Sequence, residues 1–96
     1  VYPIEVEQML TRLPAVQEAA VLGVPDPFYG ERIIAFVTLA AGATLAGQDA
    51  IAFCRQHLTA QKVPSDVRII PSFPMNAAGK IDKRRLRALI NQESVL

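Results

Sequence analysis

The 96 residues carry ten Lys or Arg against nine Asp or Glu, one His and one Cys, and 51% of the side chains are hydrophobic. That balance describes one ordinary globular domain with room for a single core. It excludes an internal disulfide, a Cys/His zinc site and, with no run near about 18 apolar residues, a membrane-spanning helix. Tryptophan is absent and aromatic residues are few, so the core has to come from Val, Ile, Leu and Ala. The lone Cys54 points to a reducing compartment, the cytoplasm.

Taken in order, Pro3 suits the first turn of a helix, where its missing N–H costs nothing. Val6, Met9, Leu10 and Leu13 recur behind it at helical spacing. Glu5 and Glu7 complement the helix dipole, and Pro14 drives Leu13 out of the α region and ends the segment. From Val16 to Val24 both alternating faces are apolar, with Ala19 and Val21 on one and Ala20, Leu22 and Val24 on the other. This reads as a strand covered on both sides and stopped by Pro25-Asp26-Pro27. Phe28 to Arg32 turns the chain, and Ile33 to Leu39 is the clearest strand, paired antiparallel with its predecessor. A loop holding Gly42 leads to a second helical pattern in Ala50, Ile51, Phe53, Cys54 and Leu58. Its start is poorly capped, because Ala46-Gly47 offers no side-chain acceptor, and Cys54 sits on its apolar face as a structural thiol. Lys62-Val63-Pro64 forms the exit. Val67 to Ile70 is a short strand closed by Pro71 and parallel to one neighbour through a right-handed crossover. The final helix begins at Asp82 as N-cap, runs to about Asn91 and turns Leu86, Leu89 and Ile90 inward.

The order α-β-β-α-β-loop-α predicts an α+β fold, a small, mainly antiparallel three-stranded sheet packed with three helices. Residues 1–96 read as one domain without repeats or linkers. The chain has no initiator methionine and no signal-peptide pattern, and it enters a helix at once, so the expectation is a piece of a longer protein.

Between the last strand and the last helix lies Ser72-Phe73-Pro74-Met75-Asn76-Ala77-Ala78-Gly79-Lys80-Ile81. Small residues at 77, 78 and 79 let a backbone approach a ligand, and Gly79 can take a positive φ at little steric cost. Lys80 is thereby lifted to the tip of a turn as a long, hydrated cation suited to phosphate or carboxylate. The phosphate-binding P-loop is excluded, since it needs glycine where Pro74 stands and Ser or Thr where Ile81 stands. Residues 80–96 hold five basic and two acidic side chains, against five and seven in the rest, so the positive end is local. Lys83, Arg84 and Arg85 open the last helix against its dipole, a misfit of roughly a few tenths of a kcal/mol. The plain reading of that cluster is a solvated basic face.

Four segments together resemble the small C-terminal domain of adenylate-forming enzymes: acyl-CoA synthetases, peptide-synthetase adenylation domains and luciferases. Tyr2-Pro3-Ile4-Glu5-Val6-Glu7 is similar to the family's helix start, and Ala20-Val21-Leu22-Gly23-Val24-Pro25-Asp26 with Gly30-Glu31 to its hairpin signature. Gln61-Lys62-Val63-Pro64 resembles its Tyr-Lys-x-Pro segment, and Pro74 through Lys80 its Pro-x4-Gly-Lys loop. There are three departures. Gln61 stands where the family commonly has tyrosine, Ala77-Ala78 where it often has Thr followed by Ala or Ser, and Ala46 where a Ser or Thr cap is usual.

The resemblance implies that Lys80 enters the active site of a parent enzyme while a carboxylate attacks the α-phosphorus of ATP, giving acyl-adenylate and pyrophosphate. Gly79 and Pro74 would shape the loop and Asp82 anchor it. The family then rotates this domain about a hinge, here expected just before Val1, and transfers the acyl group to coenzyme A or a carrier thiol. Lys62, Arg32 and Arg84 are candidates for CoA phosphates. ATP with Mg2+, CoA, a carboxylic acid and the enzyme's own large N-terminal domain are the implied partners; metal ligands within this chain are not. The Pro74–Lys80 stretch also resembles the site at which bacterial acetyltransferases silence acyl-CoA synthetases, which implies a lysine acetyltransferase and deacetylase.

Within the family, an acyl-CoA ligase, with fatty acids among its candidate substrates, ranks above a peptide-synthetase adenylation domain, and luciferase-like oxidation ranks third. Two readings from other classes stand beside it. A nucleic-acid module built on the basic last helix is opposed by near-neutral charge and scarce aromatics. The other is an interaction module without a catalytic part. The isolated fragment is expected to be inactive.

Overall fold

The computed structural model describes residues 3–26, 28 and 30–94, and of these the side chains apart from 3, 26, 61 and 91–94. Tyr2, the turn residues Pro27 and Tyr29, and the side chain of Gln61 lie outside the described residues. The elements in chain order are α1 (Pro3–Leu10), β1 (Val16–Asp26), β2 (Gly30–Leu39), α2 (Gly47–His57), a 3-10 turn (Ala60–Lys62), β3 (Asp66–Ile69) and α3 (Lys83–Ser94). The α+β order is as the sequence implies. The sheet runs β1-β2-β3, with β1 antiparallel to β2 and β3 parallel to β2. It is therefore mixed, although the long β1–β2 hairpin keeps it mainly antiparallel.

Size alone suggests one core, but the sheet divides the apolar interior into two layers. On one face α1 and α2 bring Val6, Leu10, Ala50, Ile51 and Cys54 onto Val21, Ile33, Ala35, Val37 and Val67. On the other, Phe73, Leu86 and Ile90 cover Ala20, Leu22, Val24, Ile34 and Phe36. The two-sided alternation of β1 is thus used in full, because successive side chains of a strand point to opposite faces. Leu89 is 41% exposed, so the buried stripe of α3 is Leu86 and Ile90 without it.

Several boundaries differ from the sequence reading. The first helix ends at Leu10, and two turns carry the chain on, with Leu13 N–H to Leu10 O at 3.1 Å and Val16 N–H to Leu13 O at 3.0 Å. Leu13 still packs against the first layer from this turn. Strand β1 continues past Val24 to Asp26, with Pro25 opposite Glu31. It is an edge strand, where a residue lacking an N–H breaks no ladder bond. Helix α3 extends three residues beyond the expected Asn91.

The weak cap of α2 has a structural reason. Ala46 makes no side-chain cap bond, as its composition predicts. A Cβ on Gly47 would lie 2.5 Å from the backbone oxygen of Val67. Glycine there lets the start of α2 press onto β3, and close packing is gained at the expense of local helix propensity.

Candidate functional site

The chain crosses from β3 to α3 through a small turn braced by hydrogen bonds across it. Met75 and Ile81 form an isolated antiparallel bridge, and Asp82 N–H donates to Pro74 O at 2.8 Å, so the two limbs are zipped together. Asn76 holds the tip. Its backbone N–H donates to Lys80 O at 2.8 Å, its carbonyl accepts from Gly79 N–H at 3.0 Å, and its Oδ1 accepts from Ala78 N–H (2.9 Å) and Lys80 N–H (3.1 Å). This side-chain-to-backbone pattern is the Asx turn. Gly79 closes it with φ 78°, a conformation costly for any residue with a Cβ. Residues 75–80 are all exposed.

Lys80 therefore stands on a rigid base. Its backbone is bonded on both sides, while its ammonium has no hydrogen-bond or ion-pair partner among the described residues. Behind it, Asp82 caps α3, its Oδ1 accepting from Arg84 N–H at 3.0 Å and Arg85 N–H at 3.3 Å. Asp82 Oδ2 also lies 3.6 Å from Arg85 Nε. Pro74, Gly79, Lys80 and Asp82 thus belong to one unit, and Arg84 projects from the same first turn beside a cleft shared with Asp82, Arg85 and Ala88.

The other two candidates lie elsewhere. The Lys62 ammonium is bonded to Glu5 at 2.8 Å, joining the 3-10 turn to α1. Arg32 is exposed near the hairpin end of β2, opposite Val24. Cys54 is buried in the first layer, and burial pushes its thiol up from the usual range, which leaves little thiolate for chemistry. Among the described residues no three His, Cys, Asp or Glu side chains gather to hold a metal, and no helix is long and apolar enough to cross a membrane.

Two features escaped the sequence reading. Asn76 is the first; an Asn two residues before a small N–H donor was the available signal. The second is Lys83, read as part of a solvated face. It reaches around the open edge of β1, donating to Glu7 Oε2 at 2.9 Å and to Val21 O at 3.2 Å, while Glu7 Oε2 accepts Val21 N–H at 2.8 Å. Arg87 continues along that edge to Gly23 O at 3.0 Å. No local pattern signals a pair 76 positions apart.

Comparison with known proteins converges on one group. The sequence profile described as the AMP-binding enzyme C-terminal domain matches residues 5–80. A substituted-propanoyl:CoA ligase of Rhodococcus jostii is 49% identical over 87 residues, covering 91% of this chain and 17% of that protein. The amide bond synthetase McbA of Marinactinospora thermotolerans superposes with a TM-score of 0.87 at 43% identity, over 93% of this chain and 18% of that one. ATP-bound MatB of Rhodopseudomonas palustris gives 0.87 at 34% identity, again over 93% and 18%. The chain thus spans less than a fifth of the length of these relatives.

Proposed function

Because this chain belongs to the AMP-binding enzyme C-terminal domain family, we propose that it is the lysine-bearing lid of an AMP-forming acid–CoA ligase whose large domain lies outside the 96 residues. Acyl-CoA ligases and synthetases among its relatives support the class. One observation supports the role of Lys80 above the others: an exposed ammonium without a partner among the described residues, on a turn that the Asn76 side chain and backbone hold in shape. A cation held this way can be delivered to an anionic reaction centre without first breaking an ion pair.

In the first half-reaction a carboxylate oxygen bonds to the α-phosphorus of ATP and pyrophosphate leaves. Negative charge gathers on the non-bridging oxygens, and the Lys80 ammonium stabilises it. Asn76 and Gly79 set the direction of the lysine, and Asp82 ties the turn to α3. Magnesium would accompany the nucleotide in this reading. In the second half-reaction the CoA sulfur attacks the acyl carbon, AMP leaves, and this domain turns to present another surface. Arg32 and Arg84 are the exposed candidates for CoA phosphates, and Lys62 would first have to leave Glu5. The buried single thiol suits a reducing, cytoplasmic setting.

The test is Lys80→Ala in the complete enzyme. Adenylate formation, read as pyrophosphate release, is expected to fall roughly 10²–10³-fold, while thioester formation from supplied acyl-adenylate persists. Equal loss in both halves removes Lys80 from this role. The same exposed ammonium is the proposed target of a lysine acetyltransferase. Acetylation erases its charge, so the modified enzyme should behave as the alanine variant and recover on deacetylation; full activity of a stoichiometrically acetylated protein would count against this. The likeness to an amide bond synthetase favours a second reading in which an amine accepts the acyl group in place of CoA. Product formation without CoA, in the presence of an amine, would select it.

A further inference from the structure

Glu7, Val21 and Lys83 form a closed set of three contacts at the free edge of the sheet. The Glu7 carboxylate, 22% exposed, accepts from Val21 N–H and from the Lys83 ammonium, and that ammonium also donates to Val21 O. Helices α1 and α3 pack on opposite faces of the sheet, so the pair passes around the edge and joins one layer to the other. An exposed ion pair by itself contributes little to stability. Its geometry matters more: Lys83 is the first residue of α3, directly after the Asp82 cap and three residues beyond Lys80.

Leu86 and Ile90 seat α3 on the sheet by apolar contact, which is non-directional. Packing of that kind fixes which face of the helix is buried but supplies no directional contact at its exposed first turn. The donations from the Lys83 ammonium to Glu7 and to Val21 O add directional contacts at the end of the helix that carries the Lys80 turn, as Arg87 adds one to Gly23 O a turn further on.

We propose that Glu7 and Lys83 are positioning residues for adenylate formation: a clip across the β1 edge that sets the first turn of α3 and, through Asp82, the direction of the Lys80 turn. The inference rests on the role assigned to Lys80. Misplacement of a reacting group by about an ångström costs up to roughly a hundredfold in rate.

In the complete enzyme, Lys83→Met keeps the aliphatic stem and removes both donations. It is expected to lower kcat for pyrophosphate release by about tenfold to a hundredfold, with KM for ATP and the acid held and thioester formation from supplied acyl-adenylate unchanged. Lys83→Arg, which still donates to both oxygens, should restore most of the loss. Glu7→Ala, which leaves the donation to Val21 O in place, should lower the same kcat by a smaller factor, and the double variant should be no worse than Lys83→Met. Hydrogen exchange at the Val21 amide should quicken in Glu7→Ala. Unchanged kcat for pyrophosphate release, or equal loss in both half-reactions accompanying a lowered melting temperature, overturns the clip. Lys80→Ala measured alongside separates the two claims. If it spares adenylation, the Lys80 reading fails; if it abolishes adenylation while Lys83→Met is as active as wild type, only the clip fails.

Discussion

Lys80 and Lys83 are three residues apart, equally cationic, and put to opposite uses. In the turn that bears Lys80, Asn76 supplies the acceptors that the Ala78 and Lys80 N–H groups need, and the Lys80 ammonium has no partner among the described residues. The strand edge facing Lys83 has no such provision. Val21 presents an N–H and a C=O outward, and Lys83 with Glu7 supplies both partners. For these two lysines the difference lies in what stands beside them, a strand edge with an outward carbonyl and a carboxylate for Lys83 and solvent for Lys80.

Three substitutions in the 96-residue chain sharpen that contrast between the seated layers and the turn. The largest loss belongs to Phe36, 1% exposed in the second layer; Phe36→Ala should lower unfolding free energy by about 3–5 kcal/mol in urea titration. Next is Gly47→Ala. Helix propensity favours alanine by up to about 1 kcal/mol in a helix interior and by less at this first position, but the added Cβ meets the Val67 carbonyl at 2.5 Å, an atom that cannot swing away. Overpacking of this kind costs about 1–3 kcal/mol, so the sign should be a net loss; a raised melting midpoint would show that α2 and β3 can separate freely. The smallest effect belongs to Lys80→Ala. With no bonded ammonium among the described residues, stability should stay within about 0.5 kcal/mol, even where catalysis in the parent enzyme collapses. A large drop in melting temperature would dissolve the distinction between turn and layers.

Much of this architecture was legible because apolar spacing is a local signal. The double alternation of Val16 to Val24 announced a strand covered on both faces, and the layers on either side of β1 answer to it. Asp82 was readable as a cap and Gly79 as a positive-φ residue for the same reason. What stayed hidden depends on distant partners. Proline normally stops a strand, yet Pro25 is accommodated within one because β1 lies at the sheet edge, a fact of strand order. Gly47 looked like a poor helix start until Val67 was placed beside it. Glu7 read as a dipole partner of its own helix and Lys83 as a solvated charge, because neither reveals Val21 between them.

With Ala19 before them, three of the outward-facing positions of β1 are Val21, Gly23 and Pro25. Both backbone groups of the first are taken by side chains, the carbonyl of the second is held by Arg87, and the third has no N–H to give. A second copy approaching this side finds the middle of the edge already occupied, and the opposite border of the sheet is only four residues long. A chain of which half is hydrophobic therefore resists templated strand addition, the usual entry to fibres, and should remain monodisperse at the concentrations that spectroscopy of the clip requires.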